Sequence, residues 1–214
     1  STLNCDDMNN PEANIEVEVR GPLTPETYTN LKLFLEANGE KVATKDRMLI
    51  DYSTFLAGEM KDRKKDIRLR ITNGTPEIMI KMGGWGAVDQ RKELAVTTAP
   101  GTFDTLVEIF AALGYEKGVL CDRKTEAYDY KGVEFALVEV PGHSYFYEAE
   151  KMAHEGQDMQ MVTEAITGVC KELALPIFTG DEFFAYVEKL NQEANEVFDF
   201  SKEGPGYFKK RFGF

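Results

Sequence analysis

The chain has 214 residues, 43% of them hydrophobic and 29% charged, with a formal net charge of -12. This is an ordinary globular composition, long enough for one large domain or two small ones, and it excludes a disordered chain. The acidic balance argues against nucleic acid and against an anionic membrane as partners, although a small polyanion in a locally basic pocket stays open.

No apolar run approaches bilayer length and no signal peptide is visible, so a cytoplasmic protein is expected. Cys5, Cys121 and Cys170 are widely spaced, which fits reduced thiols better than a disulfide framework or a zinc site. With only His143 and His154 available, a metal would be held by oxygen, which favours magnesium, manganese or calcium over zinc.

Residues 1–13 are polar and expected to be flexible. Ile15 to Arg20 then alternates apolar and charged, the pattern of a strand with Ile15, Val17 and Val19 on one face and Glu16, Glu18 and Arg20 on the other. Two carboxylates and a cation in a row suit a divalent metal and a phosphate, yet a half-solvated strand looks the same. Thr24-Pro25 reads as a helix start, and Asn38-Gly39 as its stop. Residues 41–55 read as extended, with Met48, Ile50 and Tyr52 alternating against Leu49, Asp51 and Ser53. Residues 57–66 read as a solvated charged loop.

Ile67 to Ile71 is strictly alternating, with Arg68 and Arg70 on the polar face. Asn73-Gly74 is a hairpin turn into residues 77–81, which end on Lys81. Gly83-Gly84-Trp85-Gly86 opens no helix, so it reads as a hairpin rather than a phosphate loop. Residues 90–98 form a strand carrying Arg91 and Glu93. An amphipathic helix over 102–113 divides the chain. Strands then follow over 115–130 with Arg123, 133–140 with Glu139, and 144–150 with Glu148 and Glu150. Amphipathic helices over 158–174 and 180–194 cover the sheet, and an aromatic, basic tail follows, which docks either on the body or on a partner.

The polar faces of these strands carry six cations (Arg20, Arg68, Arg70, Lys81, Arg91, Arg123) and six anions (Glu16, Glu18, Glu93, Glu139, Glu148, Glu150). Charge repeated in strand after strand predicts a closed barrel with a polar lumen, its apolar faces turned outward beneath the helices. Arginines and lysines in such a lumen bind phosphoryl oxygens, and carboxylates on neighbouring strands hold Mg²⁺ or Mn²⁺.

The ordered set Glu16-x-Glu18-x-Arg20, Arg68-x-Arg70, Lys81, Arg91-x-Glu93 and Glu148-x-Glu150 resembles the CYTH superfamily, the triphosphate tunnel metalloenzymes. The resemblance covers roughly 14–195 as a single domain and leaves 196–214 as a tail. It implies an α+β fold, an eight-stranded antiparallel β-barrel forming a tunnel with a charged lumen and covered by helices. It implies metal ligation by Glu16, Glu18, Glu148 and Glu150, with Glu139 and Glu93 as further candidates. Phosphate binding would fall to Arg68, Arg70, Lys81, Arg91 and Arg123, and the catalytic set would be Arg20, Glu16 and Glu18. The implied activity is Mg²⁺- or Mn²⁺-dependent hydrolysis of a phosphoanhydride in a small-molecule triphosphate or polyphosphate. The alternatives are a class IV-type adenylyl cyclase and a non-catalytic polyphosphate or nucleotide binder. A monomer or homodimer is expected.

Two positions depart from the family pattern. Arg20 stands where the family has a lysine, and arginine stays protonated, so it binds phosphate but cannot act as a general base. Thr125 stands where a second basic residue usually follows Arg123. Glu139 shares its parity with Phe135 and Leu137, which leaves its register open.

Overall fold

A computed structural model describes residues 15–86 and 88–214; the expectation for 1–13 lies outside them. Nine strands and six helices follow in the order β1 (Ile15–Leu23), α1 (Pro25–Asn38), β2 (Glu40–Asp51), β3 (Lys65–Thr72), β4 (Thr75–Met82), β5 (Val88–Thr97), α2 (Phe103–Ala112), β6 (Lys117–Tyr130), β7 (Val133–Val140), β8 (Ser144–Ala153), α3 (Met159–Glu172), α4 (Gly180–Glu193), β9 (Glu196–Asp199), α5 (Phe200–Glu203) and α6 (Tyr207–Phe212). The sheet runs β2-β3-β4-β5-β1-β8-β7-β6, and pairing of β2 with β6 closes these eight antiparallel strands into a ring. β1 and β2 therefore lie on opposite walls. The long strand β6 pairs with β7 along its second half and with β9 along its first.

The apolar layers lie outside the ring, as the alternation predicts. One packs Val17, Val19, Phe135, Leu137 and Tyr147 of β1, β7 and β8 against Leu31 and Leu35 of α1 and Val162, Ile166 and Cys170 of α3. The other packs Ile50, Leu69, Ile71 and Leu120 against Phe103, Leu106 and Phe110 of α2 and against Phe198 and Phe208. Residues 196–214 thus dock on the body of the same chain. Each such side chain, fully buried, contributes about 1.5–3 kcal/mol, so two apolar layers offset the cost of a charged interior. The outer face of β5 is bare: Leu94 and Val96 are exposed.

Local chemistry sets the connections. Thr24 caps α1 by accepting the Thr27 N–H at 3.1 Å, with Pro25 in the first turn. Thr179 and Glu182 form a reciprocal capping box at the start of α4. Gly21 is required by packing, because a Cβ there would meet the Pro176 carbonyl oxygen at 1.8 Å. β4 and β5 pair antiparallel as a hairpin, and Gly83, just past β4, takes φ 132°.

Candidate functional site

The ring encloses a cavity of about 250 Å³. Glu16, Glu18 and Arg20 of β1 all point into the ring and are buried, because Val17 and Val19 take the other face. Across β1 and β8, Glu18 faces Glu150 and Arg20 faces Glu148 in register. Glu16, Glu18 and Glu150 each bring a carboxylate oxygen within 4.8 Å of the others. Glu18 Oε1 is buried in an ion pair with the Arg20 guanidinium. Three converging carboxylates are an all-oxygen donor set that fits a hard divalent cation.

The electrostatics agree with that geometry. Burial pushes the Glu150 carboxyl up to about 8, helped by the charges of Glu16 and Glu148. Burial also raises Glu18 well above the usual range, with Arg20 opposing it and Glu148 and Glu16 adding to it. Burial disfavours the charged form of Glu16 as well, but Lys81 overrides it, donating at 2.5 Å and holding that carboxyl at about 2.

The cations divide into paired and unpaired sets. Arg20 is bonded to Asp89 at 2.6 Å and touches Glu18. Arg68 is bonded to Asp66 at 3.0 Å, and Arg70 to Glu77. Arg47 of β2 and Arg123 of β6 are cross-strand partners that both line the cavity, and neither forms an ion pair among the described residues. Arg47 donates to Thr72 at 2.8 Å, and burial with the Arg70 charge lowers its pKa to about 10. Arg123 donates to Asn195 at 2.9 Å. Two facing like charges without a counter-ion are an anion site in waiting. They lie on the wall opposite the β1 and β8 carboxylates.

The structure brings together Glu16, Glu18, Arg20, Arg68, Arg70, Lys81, Glu93, Arg123, Glu148 and Glu150 along one cavity. It places two candidates elsewhere. Arg91 faces inward but does not line the cavity; it is buried between Asp66 at 2.5 Å and Asp89 at 3.0 Å, so its charge is already compensated. Glu139 lies on the outer face, near Tyr28 of α1, because it keeps the parity of Phe135 and Leu137. The inward acid of β7 is Glu134, opposite Glu150 in register.

Sequence reasoning missed several inward charges. Lys45, Arg47 and Asp51 alternate along β2, a period-two signal that was present. Asp66 and Asp89 continue the parity of Arg68 and Arg91 beyond the expected strand ends. The stretch over 57–66 is not simply solvated: Asp66 is buried, and Arg63 lines the cavity 5.0 Å above the Trp85 ring.

Helix α4 lies across one end of the ring. Near its start the Phe183 ring sits 4.5 Å beneath the Arg20 guanidinium, and just past its end Asn195 holds Arg123. Tyr186, Val187 and Leu190 line the cavity from above.

No protein-family profile and no curated protein matches the sequence. Solved structures do. A candidate adenylate cyclase from Vibrio parahaemolyticus aligns with a TM-score of 0.58 at 14% identity, over 76% of this chain and 90% of that one. A candidate adenylyl cyclase from Hippeastrum, described as having a dominant triphosphatase activity, aligns with a TM-score of 0.54 at 16% identity, over 81% and 95%. A chain of the Schizosaccharomyces pombe Mediator head module aligns with a TM-score of 0.56 at 10% identity, over 76% and 97%. The chain has a CYTH-like fold. A fold hosts many functions, so chemistry has to be argued from the cavity. Among the described residues, no helix is long and apolar enough to cross a membrane.

Proposed function

We propose that this chain binds a linear triphosphate together with Mg²⁺ or Mn²⁺ inside the ring and hydrolyses a phosphoanhydride bond. The observation that carries the reading is the pairing of Arg47 with Arg123, two inward guanidiniums without a carboxylate, on the wall facing Glu16, Glu18 and Glu150. An extended polyanion spanning the cavity satisfies both walls. Glu16, Glu18 and Glu150 would hold the cation, which supplies charge neutralisation at the phosphoryl oxygens when bound. Arg47, Arg123, Arg68 and Arg70 bind and orient the phosphates through charge-assisted hydrogen bonds. Arg20, held over the Phe183 ring of α4, stabilises charge on the phosphoryl group.

A second reading, cyclisation of ATP with release of pyrophosphate, is favoured by the description of the Vibrio parahaemolyticus neighbour as a candidate adenylate cyclase, whereas the dominant triphosphatase activity described for the Hippeastrum neighbour favours hydrolysis. Product analysis by ³¹P NMR separates the two. Tripolyphosphate, thiamine triphosphate and ATP are each offered with Mg²⁺ and with Mn²⁺. Orthophosphate, lost on Glu16→Gln, supports hydrolysis, whereas cyclic AMP with pyrophosphate supports cyclisation. Metal-dependent binding without any product assigns the chain to non-catalytic triphosphate binders.

A further inference from the structure

We propose that Tyr186, Ser144, His143 and Glu193 form a proton path from the cavity to solvent; this rests on the triphosphate reading above. Tyr186 lines the cavity from α4. Its hydroxyl lies 2.7 Å from Ser144 Oγ at the start of β8. Ser144 Oγ lies 2.8 Å from His143 Nδ1, and His143 Nε2 lies 2.6 Å from Glu193 Oε2. The Glu193 side chain is 48% exposed. Three consecutive short contacts thus lead from an enclosed space to bulk water.

The donors can all point outward. Tyr186 donates to Ser144, Ser144 donates to Nδ1, and Nε2–H donates to the ionised Glu193. This arrangement requires the Nε2–H tautomer of His143.

Either reaction releases a proton inside the cavity. In hydrolysis the water oxygen forms a bond to the terminal phosphorus. The bridging P–O bond breaks with its electron pair on the leaving diphosphate, and the water gives up a proton. In cyclisation the attacking hydroxyl gives up a proton instead. Arg20 cannot accept it, because a guanidinium stays protonated. Lys81 is already an ammonium bonded to Glu16. Along the path, Tyr186 takes the proton as it passes its own to Ser144. Ser144 passes one to Nδ1, and Nε2 gives one to Glu193, which releases it to water. The hydroxyl rotors and the imidazole tautomer then reset. Ser144, His143 and Glu193 act through Tyr186 and are positioning residues.

The same contacts also tie α4 to the β7–β8 turn, so the test must distinguish a relay from a clasp. Imidazole ¹⁵N NMR on the ligand-free protein is expected to show His143 as the Nε2–H tautomer. Ser144→Ala and Tyr186→Phe are expected to lower kcat at least tenfold with KM unchanged. A curved proton inventory in the wild type is expected to become linear in Ser144→Ala. An Nδ1–H tautomer, or wild-type kcat in both variants, overturns the path and leaves the triphosphate reading standing. A wild-type protein that turns over no triphosphate overturns both.

Discussion

Arg47 and Arg123 face one another across the β2–β6 pairing that closes the ring, and both reach the cavity without a carboxylate partner. Like charges directly opposite in a sheet are destabilising. The charged form of Arg47 is also disfavoured by burial and by the Arg70 charge, so folding keeps uncompensated positive charge where a polyanion would be bound. Arg47→Ala or Arg123→Ala is expected to weaken tripolyphosphate binding by about 10- to 100-fold, since hydrogen bonds to charged groups contribute roughly 1.5–3 kcal/mol. The melting temperature should stay level or rise. Titration calorimetry paired with thermal melting checks both signs.

Arg91 is expected to behave in the opposite way. Removing its guanidinium leaves Asp66 and Asp89 buried with fewer partners. Arg91→Met should cost about 3–5 kcal/mol of stability. Adding Asp66→Asn should recover part of it, and denaturant midpoints would show the recovery.

The carboxylate cluster predicts a pH window. Glu150 titrates near 4.5 in an unfolded chain and at about 8 in the folded one, because it is buried beside Glu16 and Glu148. A carboxyl with a raised folded pKa contributes stability that is complete below 4.5 and is lost as pH rises through about 8. The metal-free protein should therefore lose on the order of a few kcal/mol across that window. Glu16 has the opposite sign, and its contribution disappears only as pH falls from 4.5 towards about 2. Mn²⁺ displaces the Glu150 proton, so the rise in melting temperature on adding Mn²⁺ should grow from about pH 6 to about pH 8. Melting curves with and without Mn²⁺ across the window test this.

The parity of β7 gives a fourth expectation. Glu139 lies outside the ring near Tyr28, whereas Glu134 lies inside opposite Glu150. Glu139→Gln should leave Mn²⁺ binding unchanged. Glu134→Gln removes a charge that helps raise the Glu150 pKa, so it should shift the pH midpoint of Mn²⁺ binding downward.

Much of this architecture was legible because a strand has a period of two. Charge on one parity in strand after strand, from Glu16 and Glu18 to Glu148 and Glu150, indicated a closed barrel with a polar lumen, and the Thr24-Pro25 cap and the 83–86 hairpin followed from local chemistry. Ends and neighbours were harder. Asp66 and Asp89 each lie one residue before the expected strand start, where a turn and a strand start look alike. Glu139 carries the right charge on the wrong parity, and parity fixes a face only once the register is known. The role of α4 was hidden for a different reason. The pattern Phe183, Val187, Leu190 shows that the helix has an apolar face, but not that this face closes the end of a charged ring. The β9 pairing was hidden too, because four residues are too short to declare a period.

On the proposed reading, metal and phosphate meet between the two walls. Electron paramagnetic resonance of Mn²⁺ bound with tripolyphosphate tests it most directly, since ³¹P hyperfine coupling reports phosphate oxygen on the ion. One bound Mn²⁺ with resolved ³¹P coupling is expected in the wild type. Glu18→Gln and Glu150→Gln should lose the ion, and Arg47→Ala should keep the ion but lose the coupling at the same tripolyphosphate concentration. Mn²⁺ bound without ³¹P coupling in the wild type, or bound equally well after both carboxylates are replaced, would contradict it.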